Sequence, residues 1–115
     1  MKTLIFVADS HRVLREFPKA VQQEIGFALY QAQIGGKHVD AKPLKNFGGG
    51  VLEVVSDHRG DTFRAVYTVK LERAVYVLHA FQKKSKHGIA TPKSVMDLLK
   101  QRLQRAIEID QEREK

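Results

Sequence analysis

Three runs rich in β-branched and aromatic residues crowd the middle of the chain: "VLEVVS" (51–56), "TFRAVYTV" (62–69) and "AVYVLHAF" (74–81). The gaps between them, "DHRGD" (57–61) and "KLER" (70–73), have room for turns but not for crossover helices. Strands joined this closely pair antiparallel, so the centre of the fold is predicted to be a three-stranded meander.

The flanking segments supply the remaining elements. "TLIFVA" (3–8) reads as a short, largely buried strand, and Asp9 or Ser10 is placed to cap a helical turn through "HRVLREF". Pro18 interrupts that helix and suits the first turn of the next. Val21, Ile25, Ala28, Leu29 and Ala32 recur at helical spacing until Gly35 and Gly36 stop the helix. Residues 37–50 read as a loop, with "GGG" (48–50) a flexible entry to the next strand and no P-loop, because no Lys-Ser/Thr follows it. Thr91 is predicted to cap a last helix with Pro92 at its first position. Val95, Leu98, Leu99, Leu103 (or Arg102), Ala106 and Ile107 form its apolar side, and residues 108–115 read as a frayed, charged end. The order β-α-α-β-β-β-α makes residues 1–115 one α+β domain, helices layered on a small, largely antiparallel sheet.

Charge narrows the function. Of 115 residues, 20 are Lys or Arg and 13 are Asp or Glu, a net +7 that favours polyanionic partners. The excess is local. Arg73 to Met96 contains no acidic residue but holds Arg73, Lys83, Lys84, Lys86 and Lys93, whereas the last fifteen residues balance four positive against four negative charges. With 43% hydrophobic residues the chain is expected to build a core and is no disordered basic tail. No cysteine is present for disulfides or thiolate metal sites, and the five histidines lack zinc-binding spacing. No segment reaches the ~18 apolar residues of a membrane span, and no signal peptide is read at the start. The expectation is a soluble, cytoplasmic domain with no membrane association.

Strand alternation assigns the candidate site residues to faces. Arg64, Val66 and Thr68 share one face of the second meander strand. Arg64 is then either paired with Glu53 across the hairpin (or set at a sheet edge), or turned to a groove where its fork of donors can hold a phosphate. Glu53 is either that salt-bridge partner or a general base. On the third strand Val75, Val77, His79 and Phe81 are predicted to share a face, opposite Tyr76, Leu78 and Ala80. His79 reads as a core histidine or a site residue. Phe81 offers a surface on which a base can stack. Lys83, Lys84 and Lys86 either solvate a strand edge or contact nucleic acid, and His87, Lys45 and Arg59 are further candidates for RNA contact from loops.

"LKNFGGGVLEV", "DTFRAVYTV" and "VYVLHAFQKKSKHGIATPKSVMDLLKQRL" together resemble the Gp49/HigB-like group of the RelE/ParE toxin superfamily, over roughly residues 2 to 107. The resemblance implies the RelE-like fold and the toxin of a type II toxin–antitoxin module, an endoribonuclease that cuts mRNA on the ribosome without a metal or other cofactor. It implies a helix-turn-helix, HigA-like antitoxin as partner, beside the ribosome and mRNA. Carried over by position, it makes Glu53 the base, Arg64 the phosphate clamp and Lys84, with Lys83, the stabiliser of the transition state. His79 or His87 is left as the acid. This chain reads Glu53-Val54-Val55 where many relatives read Glu-Leu-Arg, so one cation of the groove is missing. Two other readings stay open: a ParE-like toxin acting on DNA gyrase, and an inactive phage-derived protein that binds RNA or a partner.

Overall fold

A computed structural model describes residues 1–83 and 92–113 of the chain. The elements run β1 (Thr3–Phe6), α1 (Ser10–Arg15), α2 (Lys19–Gln33), β2 (Ala41–Pro43), β3 (Val51–His58), β4 (Asp61–Thr68), β5 (Ala74–Lys83) and α3 (Lys93–Arg113). They form one five-stranded sheet in the order β1-β5-β4-β3-β2, with β1 parallel to β5 and the other pairs antiparallel. The fold is the expected RelE-like α+β arrangement.

Local chemistry explains the meander. Arg59 and Gly60, between paired His58 and Asp61, both have positive φ (51° and 86°), as a type I′ hairpin turn requires. That turn matches strand twist, so β3 and β4 pair over their whole length. At the other end of β3, Gly50 has φ 74° and lies so close to Lys70 that an added Cβ would stand 2.5 Å from the Lys70 Cβ. Its carbonyl accepts bonds from the Val69 N–H and the Thr68 hydroxyl, both at 2.8 Å. The glycines before β3 are therefore part of a required conformation, where the sequence suggested only a flexible entry.

Helices cover both faces of the sheet. Val21, Ile25, Ala28, Leu29 and Ala32, the expected stripe of α2, are its buried residues and pack with Leu52, Val54, Phe63, Ala65, Tyr67, Val75 and Val77. Truncating Ile25 to Ala would cost about 2–5 kcal/mol through lost burial and a cavity. On the opposite face α3 packs mainly on β5, setting Leu99 and Ala106 against Val51, Val66, Tyr76 and Leu78.

Four local expectations change. Residues 41–43, read as loop, form β2, with Ala41 paired to Val54 and Pro43 to Leu52. The strand is too short for a period-2 signal, and its outermost position leaves Pro43's missing N–H harmless. Asp9 and Ser10 do not cap α1 through their side chains. The Ser10 hydroxyl instead donates to the Val77 carbonyl at 3.1 Å, and Asp9 reaches Arg12 and Arg102. Pro18 and Pro92 each precede the first helical residue rather than occupying it, and Thr91 lies outside the described residues. Finally, α3 continues to Arg113, and Asp110, within the stretch read as frayed, is buried. It accepts from the Tyr76 hydroxyl at 2.9 Å and from the Arg73 N–H at 3.2 Å.

Among the described residues no helix is long and apolar enough to cross a membrane.

Candidate functional site

The site lies where β5 outruns its parallel neighbour. β1 pairs with β5 only from Ala74 to Val77, whereas β5 runs on to Lys83. Antiparallel register with β4 continues to Thr62–Lys83.

A β-bulge decides which side chains this extension presents. Val66 is opposite His79 while Tyr67 is opposite Val77, so Leu78 is an extra residue on β5. One inserted residue reverses the alternation beyond it. Val75 and Val77 share a face, as expected, and it is the α2 face, but Ala80 joins them there, while Phe81 packs on the α3 side with Tyr76 and Leu78. The expected shared face of Val75, Val77, His79 and Phe81 is thus broken, and His79 and Phe81 turn toward α3. The sequence pattern is indistinguishable from plain alternation because, His79 apart, residues 74–81 are aliphatic or aromatic on both faces.

The reversal gathers residues from three strands. Register places Glu53, Val66 and His79 in one row and Val55, Arg64 and Phe81 in the next, with Thr62 and Lys83 beyond. Arg64 and Glu53 are diagonal neighbours on one face. The Arg64 guanidinium donates to Glu53 Oε1 at 2.5 Å, and the two side chains are only 12% and 11% exposed. The salt-bridge reading of the pair is therefore what the geometry shows, and Arg64 stands on a central strand, not at an edge. The buried Arg64 Nε has no hydrogen-bond partner among the described residues. Lys83 has its pKa lowered by desolvation and by Arg64, against an opposing pull from Glu53, so the three charges sense one another.

His79 is held from the far side. The Arg102 guanidinium, which can only donate, lies 2.9 Å from His79 Nδ1 and 3.0 Å from the Leu78 carbonyl, the carbonyl of the bulged residue. Arg102 is bound in turn to Asp9 at 2.8 Å. Burial first and then Arg102 push the His79 pKa down, with Asp9 opposing them. Burial acts to raise the Asp9 pKa, but Arg102 and Arg12 outweigh it and hold the carboxyl low. The rings of His79 and Phe81 stack at 5.1 Å and 19°. Arg102 was legible only as an alternative to Leu103 on the apolar side of α3, and nothing local signals that it meets His79, 23 residues away.

Other candidates fall elsewhere. Lys45 sits in the turn before β3 and Arg59 in the turn after it, so they stand at opposite ends of that strand. Lys84, Lys86 and His87 lie outside the described residues. Lys42, hidden from sequence reasoning because β2 read as loop, is in register with Glu53. It helps line a groove of about 590 Å³ with Glu24, Asp40, Glu53, Val55, Asp57 and Arg64. A larger concavity of about 940 Å³ lies at the opposite end of β5, beside Met1 to Thr3, Gly35, Gly36 and Arg73, away from the Glu53–Arg64 pair. Among the described residues no group of three His, Asp or Glu side chains is arranged to hold a metal ion.

A family model described as "Phage derived protein Gp49-like (DUF891)" matches residues 12–104. The chain belongs to this Gp49-like family. The family is one of RelE/HigB-like toxins, so the chain is a phage-derived, toxin-like protein of a toxin–antitoxin family. No curated protein matches it. The matched span takes in α2, the whole sheet apart from β1, and α3 as far as Gln104, and so contains Glu53, Arg64, His79 and Phe81.

Proposed function

We propose that this Gp49-like protein is a ribosome-dependent endoribonuclease that cleaves mRNA and so blocks translation. The observation that carries the reading is the contact of Glu53 and Arg64 on one sheet face, with Lys83 electrostatically coupled to both. Cleavage by attack of an RNA 2′-oxygen on the adjacent phosphate needs a base, a clamp on the phosphate and a proton for the departing 5′-oxygen.

In this reading Glu53 accepts the 2′-hydroxyl proton. Arg64 keeps one part of its fork on Glu53 and turns the rest, including Nε, to the phosphate, which aligns base and phosphate through a single side chain. Lys83, with Lys84, stabilises the negative charge that grows on the phosphate oxygens. The O–P bond to the 5′-oxygen breaks as the 2′-O–P bond forms, and the departing 5′-oxygen takes a proton from water, leaving a 2′,3′-cyclic phosphate and a 5′-hydroxyl. Glu24, Asp40 and Asp57 make the outer wall of the groove acidic, so the RNA backbone approaches from the Phe81–Lys83 side. Family membership makes an antitoxin the natural partner, a HigA-like one in this reading, and the ribosome supplies part of the RNA positioning.

Mapping mRNA 5′ ends in cells expressing the wild type and Arg64→Ala tests this. New ends that depend on translation and vanish in Arg64→Ala are expected. Growth arrest with unchanged mRNA ends would overturn the nuclease reading, and trapped gyrase complexes in those cells would establish the gyrase alternative.

A further inference from the structure

The last helix meets the His79 imidazole of β5 and ties it to the β1–α1 junction. Arg102 is the hub. One of its nitrogens serves both the Leu78 carbonyl and His79 Nδ1, and another is anchored on Asp9 Oδ1 at 2.8 Å. The bulged residue's carbonyl is thus taken up by a cation, which meets a backbone group's need for a partner. A guanidinium has no lone pair to offer, so the Nδ1 facing it must be the acceptor, and the ring's proton resides on Nε2.

We infer that Arg102, anchored by Asp9, is a positioning residue that fixes His79 with Nδ1 accepting and its proton on Nε2, lying parallel to Phe81, so that the His79–Phe81 pair is a stacking platform for a nucleobase rather than a proton source. The platform rests on the RNA-binding reading above; the fixed tautomer does not.

Chemistry supports the division of roles. A histidine acting as general acid must carry protons on both nitrogens, and the second would sit at Nδ1 against the Arg102 cation. The charged groups that face His79 are Arg102 from α3 and Asp9 from the β1–α1 junction, with Glu53 in its row on β3 and Arg12 of α1 paired to Asp9. Burial and Arg102 both disfavour the imidazolium and outweigh Asp9. Phe81 stands beside Arg64 in one row, with His79 a row before it and Lys83 a row beyond, so a base laid against the stacked rings leaves its phosphate near those cations.

The test is imidazole NMR on the full chain. Long-range nitrogen–proton correlations should show His79 of the wild type as the Nε2–H tautomer, still neutral at pH values where an ordinary histidine is half protonated. In Arg102→Met the titration midpoint should rise to the ordinary range and the single tautomer should be lost. A wild-type His79 that titrates normally or carries its proton on Nδ1 overturns the inference, and this measurement needs no variant to fold. For the platform, a short RNA oligomer containing 2-aminopurine should have its fluorescence quenched on binding the wild type, and less so with Phe81→Leu. Binding with no quenching by the wild type overturns the platform. Because the NMR measurement contains no RNA, failure of the nuclease reading would leave the tautomer result standing, and the two failures remain distinguishable.

Discussion

The Tyr76 hydroxyl donates to Asp110 Oδ1 at 2.9 Å, tying the start of β5 to the last turns of α3. Both residues are buried, and the same carboxylate oxygen accepts from the Arg73 N–H. Asp110→Ala leaves the buried Tyr76 hydroxyl unsatisfied, which costs about 1–3 kcal/mol, and takes an acceptor from the part-buried Arg73 N–H. Thermal unfolding should show a drop in Tm of several degrees. In a double-mutant cycle, Tyr76→Phe should make Asp110→Ala distinctly less damaging; simple additivity of the two would show that the bond contributes nothing.

Tyr67 is the reverse case, a fully buried phenol whose hydroxyl has no partner among the described residues. Tyr67→Phe removes an unsatisfied group and keeps the ring, so stability near neutral pH should be unchanged or higher.

The same residue predicts an alkaline instability. Burial raises the Tyr67 pKa from 10.0 to about 12. Below pH 10 the phenol is protonated in the folded and unfolded chains alike, and its contribution is complete. Between pH 10 and 12 the unfolded chain has lost a proton that the folded one retains, so stability falls as pH rises, by about 1.4 kcal/mol per unit. Denaturant titrations across this window should give a shallower decline for Tyr67→Phe than for the wild type.

Glu53→Gln separates the two roles open to Glu53. The amide oxygen can still accept from Arg64, but the side chain can no longer take a proton. If Glu53 is the base, cleavage of translated mRNA should fall by about 10²–10⁴-fold, compared at a temperature where the variant is still folded, because the buried Arg64 charge loses its counter-charge and Tm falls as well. Retained cleavage would reduce Glu53 to an orienting partner. Arg64→Lys keeps the charge and loses the fork, and should also lose most cleavage.

Lys83 is predicted to contact phosphate. Lys83→Gln should weaken RNA binding at low salt and reduce the slope of log affinity against log salt by about one. An unchanged slope would remove Lys83 from the interface.

Much of this architecture was legible because it is local. The β3–β4 hairpin follows from two β-rich runs around Arg59 and Gly60, and the buried face of α2 follows from helical spacing. Glu53 and Arg64 were readable as a cross-hairpin pair once those strands were placed. The basic stretch after β5 was readable as composition alone.

What remained hidden depends on contacts distant in sequence. A single inserted residue at Leu78 leaves no compositional trace, yet it turns His79 and Phe81 from the α2 side to the α3 side. Arg102 reaches His79 across 23 residues and Asp9 across 93, and Asp110 meets Tyr76 across 34. By itself the sequence determined the elements and the hairpin pairing, because periodicity and turn chemistry act between near neighbours. Only the tertiary structure decided which face His79 presents and which nitrogen bears its proton, because a bulge carbonyl, a helix arginine and a loop carboxylate become neighbours only when the sheet and α3 close on one another.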